Sequence, residues 1–262
     1  MRLDPLQAPE VFHLAFLRAL ARSVPLSTFV LKGGSNLRFF FGSIRYSADM
    51  DLDTSGLPVH VLRDRVMAIL VSPALGDTLR TFGIERVVPP SMASAKQTAT
   101  VQRFKVHLIT GAGEDLSTKV EFSGVDSTRR FAQNQSWPRS WRRIVWLHSL
   151  PHITPHTATA AARQKLRALA SRRRPEARDI FDLYTLSSHP DIATADLGEG
   201  FAQAEIREGH ERIFSVSYEQ YRDTVVAFLG PEDRAAHDSS GVWDEIRLRA
   251  VSLLEQGTRD EG

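Results

Sequence analysis

Residues 31–56 read LKGGSNLRFFFGSIRYSADMDLDTSG, and this stretch decides the fold. Upstream of it, TFVLK (28–32) is a short β-branched run that predicts a strand. Gly33-Gly34 then predicts a turn and NLRFFF (36–41) a helix opening directly after it. DMDLDTS alternates charge with apolar residues, the period of a strand, so Asp49, Asp51 and Asp53 share one face while Met50 and Leu52 face a core. Like charges held so close repel unless something positive lies between them. Two carboxylates two residues apart suit a hard divalent cation, and Mg²⁺ is the usual occupant where phosphates are handled. The Gly34-Ser35 turn lies ahead of a helix, where unpaired N–H groups and the helix dipole favour a phosphate and the Ser35 hydroxyl adds a donor. A phosphate turn and a carboxylate pair joined by one helix are the parts for metal-assisted nucleotidyl transfer.

The flanking sequence predicts an α+β protein. Residues 11–22 have apolar positions at helical spacing and Pro25 ends them; residues 60–73 predict a second helix. GIERVVPP, ATVQRFKVHLIT and LSTKVEFSG predict three further strands, the last two joined through GAGED as a hairpin. In the last strand Lys119, Glu121 and Ser123 alternate onto one face. Glu121 is either a third carboxylate, completing a metal site or acting as general base, or a plain surface residue, and Lys119 is a candidate phosphate contact. After Phe131, segments rich in Pro, Trp and His predict an irregular connection. TATAAARQKLRALASRRR, EARDIFDLYTLSSH, SVSYEQYRDTVVAFLG and GVWDEIRLRAVSLLEQG predict a helical second half. The expected division is a mixed-sheet domain over 1–145 and a helical domain over 146–262 that contributes to the active site.

The 262 residues carry a net charge of only +2, no cysteine and 42% hydrophobic residues, a composition ordinary for a soluble chain. Disulfides and thiolate metal sites are excluded. The N-terminus has an acid and prolines ahead of its apolar run, unlike a signal peptide, and apolar runs are broken short of a membrane span, so a cytoplasmic protein with no membrane partner is expected. The charge is unevenly spread. Residues 129–178 hold 12 Lys or Arg against one acid, and residues 179–262 hold 7 against 18. A block so one-sided predicts a polyanion partner, nucleic acid above all, with Arg142, Arg143, Arg172, Arg173 and Arg174 as candidate RNA contacts. The alternative is pairing with the acidic tail inside the fold.

Several residues have a plainer reading. Asp53 reads as a strand-end residue bonding to the following turn rather than as a metal ligand. Lys32 either binds phosphate or packs its stem under the sheet. Lys165 in an Arg-rich helix reads, by itself, as solvated charge. His148, His152 and His156 recur every four residues, but Pro151 and Pro155 break any helix that would align them, which disfavours zinc. Trp137, Trp141 and Trp146 beside arginines either stack on bases or anchor the connection. KGGS is no dinucleotide fingerprint, since no G-x-G-x-x-G follows.

Taken together, LKGGSNLR…FGSIRYSADMDLD, KVEFS and ARQKLRALASRR…RDIFDL resemble the AbiEii-type nucleotidyltransferase toxins, including the MenT group, of bacterial toxin–antitoxin systems. The likeness runs over roughly residues 28–185. It implies a nucleotidyltransferase fold with a helical C-terminal region, and transfer of a nucleotide from an NTP, in some members onto the 3′ end of tRNA, which blocks translation. It implies a cognate antitoxin as partner. By the same resemblance Gly34 and Ser35 match the phosphate turn, Asp49 and Asp51 the metal-binding pair, Ser47 a serine before that pair, Lys165 the triphosphate-holding basic residue, and Asp179 or Asp182 the downstream acid. The chain departs from the pattern in having Ser-Asn after the glycines and a proline between Lys165 and the RD pair. A phosphate on Ser47 would add about two negative charges beside Asp49 and Asp51, competing with them for the metal and repelling NTP. Alternatives are a nucleotidyltransferase acting on a small molecule or a protein, and a non-catalytic RNA-binding protein on the same fold.

Overall fold

The computed structural model describes residues 3–91, 98, 100–124, 153, 155–172, 174–195, 197 and 202–256. The chain divides into two compact units, residues 1–40 with 46–156 and residues 41–45 with 157–262.

The first unit is built on a five-stranded mixed sheet in the order β1-β2-β5-β4-β3. β1 is Phe29–Lys32, β2 Asp49–Thr54, β3 Ile84–Val88, β4 Val101–Thr110 and β5 Asp115–Gly124. β1 pairs antiparallel with β2, β2 parallel with β5, and β5 and β3 antiparallel with β4. The predicted strands are all present, and the hairpin joining β4 to β5 turns through Gly113 in the left-handed region (φ 80°). Alternation decides which face is inside: Met50, Leu52, Phe104, Val106, Leu108, Val120 and Phe122 are buried together. Phe104 meets Phe122 edge to face, ring centroids 6.0 Å apart, an arrangement worth about 1 kcal/mol beyond the area it buries.

Helix α1 (Gln7–Ser23) buries Phe12, Phe16, Leu17 and Leu20 and packs on β5, on α3 (Val59–Leu70) and on α4 (Pro73–Arg80). One helix was expected over 60–73; the chain instead stops at Leu70 and restarts. Ser72 accepts the Leu75 N–H and Pro73 occupies the first turn, where its missing N–H costs nothing, so SP is a start signal rather than the tail of α3. The helix α2 also differs from expectation. It runs Gly33–Phe40, so the glycines are its first turn and not a separate turn ahead of it.

The second unit is helical: α5 (Ala158–Ser171), α6 (Ala177–Leu186), α7 (Pro190–Ala193), α8 (Gln203–Ser215), α9 (Tyr218–Thr224), α10 (Pro231–His237) and α11 (Ser240–Gln256). Thr157 caps α5 by accepting the Ala160 N–H, and Pro175 falls in the connection between α5 and α6. α6 packs on α5, α9 and α11. At the centre Trp243 stacks on Tyr221 at 4.5 Å and donates its indole N–H to the Val216 carbonyl, so the buried ring has its one polar atom satisfied.

Candidate active site

The sheet register assembles the candidate site on the face opposite the apolar core. Asp49 lies opposite Lys119, and Lys119 opposite Lys105. One step along, Asp51 lies opposite Glu121, and Glu121 opposite Arg103. The two rows therefore cross β2, β5 and β4 side by side, acidic at β2 and basic at β4. Lys119 Nζ stands 3.1 Å from Asp49 Oδ2 and 3.8 Å from Glu121 Oε2. Glu121 in turn accepts from Arg103 Nε at 2.6 Å. The face expected from alternation is present, with Lys119 and Glu121 beside the aspartates; Arg103 was not anticipated, because only the pairing of β4 with β5 brings it there.

Asp51 is held differently from Asp49. Among the described residues no hydrogen bond or ion pair reaches its half-buried carboxylate. Burial pushes its pKa up; Lys119 and Lys32 oppose that, while Glu121 and Asp49 add to it. The room it occupies exists because residue 33 is glycine. Gly33 has φ 68°, and a Cβ there would sit 2.8 Å from Asp51 Oδ2. Both the left-handed backbone and the close approach demand the missing side chain.

The start of β2 is fixed by three side chains outside it. Ser35 Oγ donates to the Asp49 carbonyl at 2.8 Å, and Ser47 Oγ donates to the same oxygen at 2.7 Å. The Ser35 hydroxyl, read as a phosphate donor, is therefore engaged in anchoring the strand, and the first-turn N–H groups of α2 are the donors that helix geometry leaves for an anion. The third anchor comes through the core. Thr118 Oγ1 donates to the Ala48 carbonyl at 2.7 Å and accepts from buried His13 Nε2 at 2.8 Å. With Nε2 carrying the proton, His13 Nδ1 is buried without a partner, and burial lowers the pKa of this histidine to about 3. Nothing in a lone His on an apolar helix announced that role.

Asp53, expected to bond the turn after it, instead faces Lys32 Nζ at 2.5 Å and His156 Nε2 at 3.1 Å. Although burial would raise its pKa, the hydrogen bonds from His156 and Lys32 hold it below the ordinary carboxylate range. This answers the open reading of Lys32 and leaves Asp53 a structural residue. His156 also joins β1, donating its N–H to the Leu31 carbonyl. His148 and His152, the three tryptophans, Arg142, Arg143 and Arg173 lie outside the described residues.

A divalent cation fits this chemistry. The donors are hard carboxylate oxygens on one strand face, and Asp51 is a partly desolvated acid with no protein partner. Among the described residues no three acidic, His or Cys side chains converge as a preassembled metal site. Glu121 is turned to Arg103, so Asp49 and Asp51 are the pair that would hold the ion.

In the helical unit Lys165 and both candidate acids come together. Lys165 Nζ is 2.7 Å from Asp179 Oδ1 and 2.6 Å from Asp182 Oδ2. Arg45, on the short segment 41–45, reaches Asp182 at 3.1 Å, and Arg172 reaches Asp179 at 2.6 Å and Glu176 at 2.9 Å. Burial works against the charge on Lys165, yet Asp182 and Asp179 outweigh it and raise its pKa; Lys165 and Arg45 likewise hold Asp182 low against its own burial. Both Asp179 and Asp182 contact the ammonium. Arg172 is paired within the fold and Arg174 is exposed. Arg45 stands in the FGSIRYSADMDLD run that carries the family likeness, but its pairing with Asp182, more than a hundred residues further on, had no signal in the sequence.

The family described as "Nucleotidyl transferase AbiEii toxin, Type IV TA system" matches residues 15–252. No curated protein matches the chain. Among solved structures, a putative nucleotidyltransferase from Helicobacter pylori is similar with a TM-score of 0.64 at 19% identity, covering 98% of this chain and 96% of that one. JHP933 of Helicobacter pylori gives 0.63 at 19% identity over 99% and 94%, and MenT4, a nucleotidyltransferase toxin of Mycobacterium tuberculosis H37Rv, 0.59 at 15% over 98% and 85%. These likenesses establish the fold. With nine-tenths of its length matched and the paired aspartates on β2, the chain belongs to the AbiEii nucleotidyltransferase toxin family.

Proposed function

We propose that the protein is a toxin that moves a nucleotide from an NTP onto the 3′ end of tRNA and so blocks translation. The observation that carries the reading is the pair Asp49 and Asp51 on one strand face, with Asp51 desolvated, unpartnered among the described residues and closed in by Gly33. In the reaction the acceptor hydroxyl oxygen bonds to the α-phosphorus, the bond to the bridging oxygen breaks, and pyrophosphate leaves. Asp49 and Asp51 would hold a Mg²⁺ ion, which would supply charge neutralisation on the phosphate oxygens.

The chain's own groups do the positioning. Ser35, Ser47 and Thr118 lock the backbone on either side of the Ala48–Asp49 peptide, so the carboxylates need not reorganise as charge develops. The first turn of α2, from Gly33 and Gly34, offers N–H groups to the triphosphate, and Lys119 offers a cation beside Asp49. Glu121 is the candidate base for the hydroxyl proton, and release of Arg103 frees it for that role. Lys165 gives two of its three donors to Asp179 and Asp182, which leaves one for a phosphate. A cognate antitoxin is the expected partner and the cytoplasm the expected compartment. The described residues contain no helix long and apolar enough to cross a membrane.

The test is the mass of purified tRNA after incubation with the protein, each NTP in turn and Mg²⁺. An increase by one or more nucleotides at the 3′ end is expected. Unchanged tRNA, with the nucleotide found on a protein or a small molecule, would replace the acceptor and keep the chemistry.

A further inference from the structure

The acidic side of the open sheet face is accounted for by metal and triphosphate, but its basic side is not. On β4 the residues facing that side are Arg103, Lys105, His107 and Ile109, and Arg86 of β3 lies opposite Ile109. Lys105 and Arg86 are exposed, and neither has an ion-pair partner among the described residues. Lys105 lies directly opposite Lys119 in the antiparallel ladder. Like charges in that position are unfavourable in a sheet. Asp49 and Glu121 answer the charge of Lys119, and Glu121 answers Arg103, whereas no acid among the described residues answers Lys105.

We propose that this row is a binding track for the acceptor's phosphate backbone, with Lys105 as its central contact and Arg86 at its far end. The inference rests on the RNA-acceptor reading above and adds where that RNA lies. Three geometric facts support it. Lys105 is two strands from Asp49, so their backbones are roughly 10 Å apart at the usual strand spacing. That is too far for the phosphate undergoing attack and suits a nucleotide one or two positions back from the acceptor end. Arg103 and Lys105, at alternate residues of β4, stand about 6.8 Å apart along the strand, a spacing an extended single strand of RNA can follow from one phosphate to the next; His107, next on that face, is engaged with Asp115. The contacts are to the backbone, since no Phe, Tyr or Trp among the described residues of β3, β4 and β5 lies on this face to stack a base, and the His107 ring is engaged with Asp115.

The experiment measures binding of a labelled single-stranded RNA, and separately of inorganic tripolyphosphate, to the full-length wild type, Lys105→Glu and Lys105→Arg, at several salt concentrations. Lys105→Glu is expected to weaken RNA binding about tenfold and to lower the salt slope by about one, as loss of one phosphate contact requires. Lys105→Arg should restore both, tripolyphosphate binding should stay within twofold, and the melting midpoint of Lys105→Glu should equal or exceed that of the wild type. RNA binding by a folded Lys105→Glu variant equal to wild type would overturn the track while leaving the acceptor reading intact. So would equal losses for RNA and tripolyphosphate, because the anion held would then be the donor's. Failure of the wild type to bind RNA at low salt would overturn the RNA-acceptor reading itself.

Discussion

Replacing Gly33 by alanine separates the strain of a backbone from the placement of a carboxylate. The substitution forces an L side chain to φ 68°, which costs about 1–2 kcal/mol. Part of this is offset, by about 0.4–1 kcal/mol, because alanine restricts the unfolded chain. Gly56, in the turn after β2, has φ 69° and nothing within 4 Å of an added Cβ, so Gly56→Ala carries the dihedral cost alone. At Gly33 the new methyl also meets Asp51 Oδ2 at 2.8 Å. The carboxylate must move by several tenths of an ångström or more, and misplacement near 1 Å costs about 100-fold in rate. Both variants should therefore lose about 1 kcal/mol by denaturant titration, while only Gly33→Ala loses nucleotidyl transfer by about two orders of magnitude. A Gly33→Ala protein with wild-type turnover, or a Gly56→Ala protein equally inactive, would refute the argument that Gly33 is there to admit Asp51.

Three further outcomes follow from buried groups and from Ser47. His13 is held at a pKa of about 3 against 6.5 unfolded, so its contribution is complete above pH 6.5 and is lost as pH falls toward 3. The loss is about 2 kcal/mol by pH 5; His13→Gln should flatten the difference in unfolding free energy between pH 8 and pH 5 by that amount, and an unchanged difference would contradict it. Asp182→Asn leaves Arg45 and Lys165 short of a buried anion and should cost roughly 3 kcal/mol in unfolding free energy; a loss below 1 kcal/mol would show the network to be worth little. Ser47→Asp, which adds a negative charge two residues from Asp49 and also removes a hydroxyl anchor of the Asp49 carbonyl, should weaken NTP binding measured by titration more than Ser47→Ala, which removes the anchor alone; equal losses would show that the charge is not the cause.

Much of the site could be read before the structure because β2 and β5 each alternate. Met50 and Leu52 mark the core face of one strand, Val120 and Phe122 that of the other, and the polar residues between them define the opposite face. What alternation does not encode is register. That Asp49 meets Lys119, and that Arg103 reaches across to Glu121, follows from how three strands align, and no local signal sets that alignment. Ser35 is ambiguous in the sequence for a related reason: a hydroxyl at a helix start suits either an anion or a neighbouring carbonyl, and only β2 lying alongside brings the Asp49 carbonyl to it. The tie between Asp179 and Asp182 had no resolution in the sequence because helical spacing of three residues puts both on one side of α6. Gly33 was legible as a glycine in a turn, but the reason for it, a carboxylate from another strand against its Cα, is tertiary.

If Asp49 and Asp51 serve nucleotide transfer to RNA, label should pass from an α-labelled NTP to tRNA with the wild type and not with Asp51→Asn, a variant that keeps the shape of the site and removes the charge. The account predicts labelled tRNA with the wild type and a loss of at least 100-fold with Asp51→Asn, at unchanged or increased stability, since a partly desolvated charge has been removed. Transfer by a folded Asp51→Asn protein at the wild-type rate would contradict it.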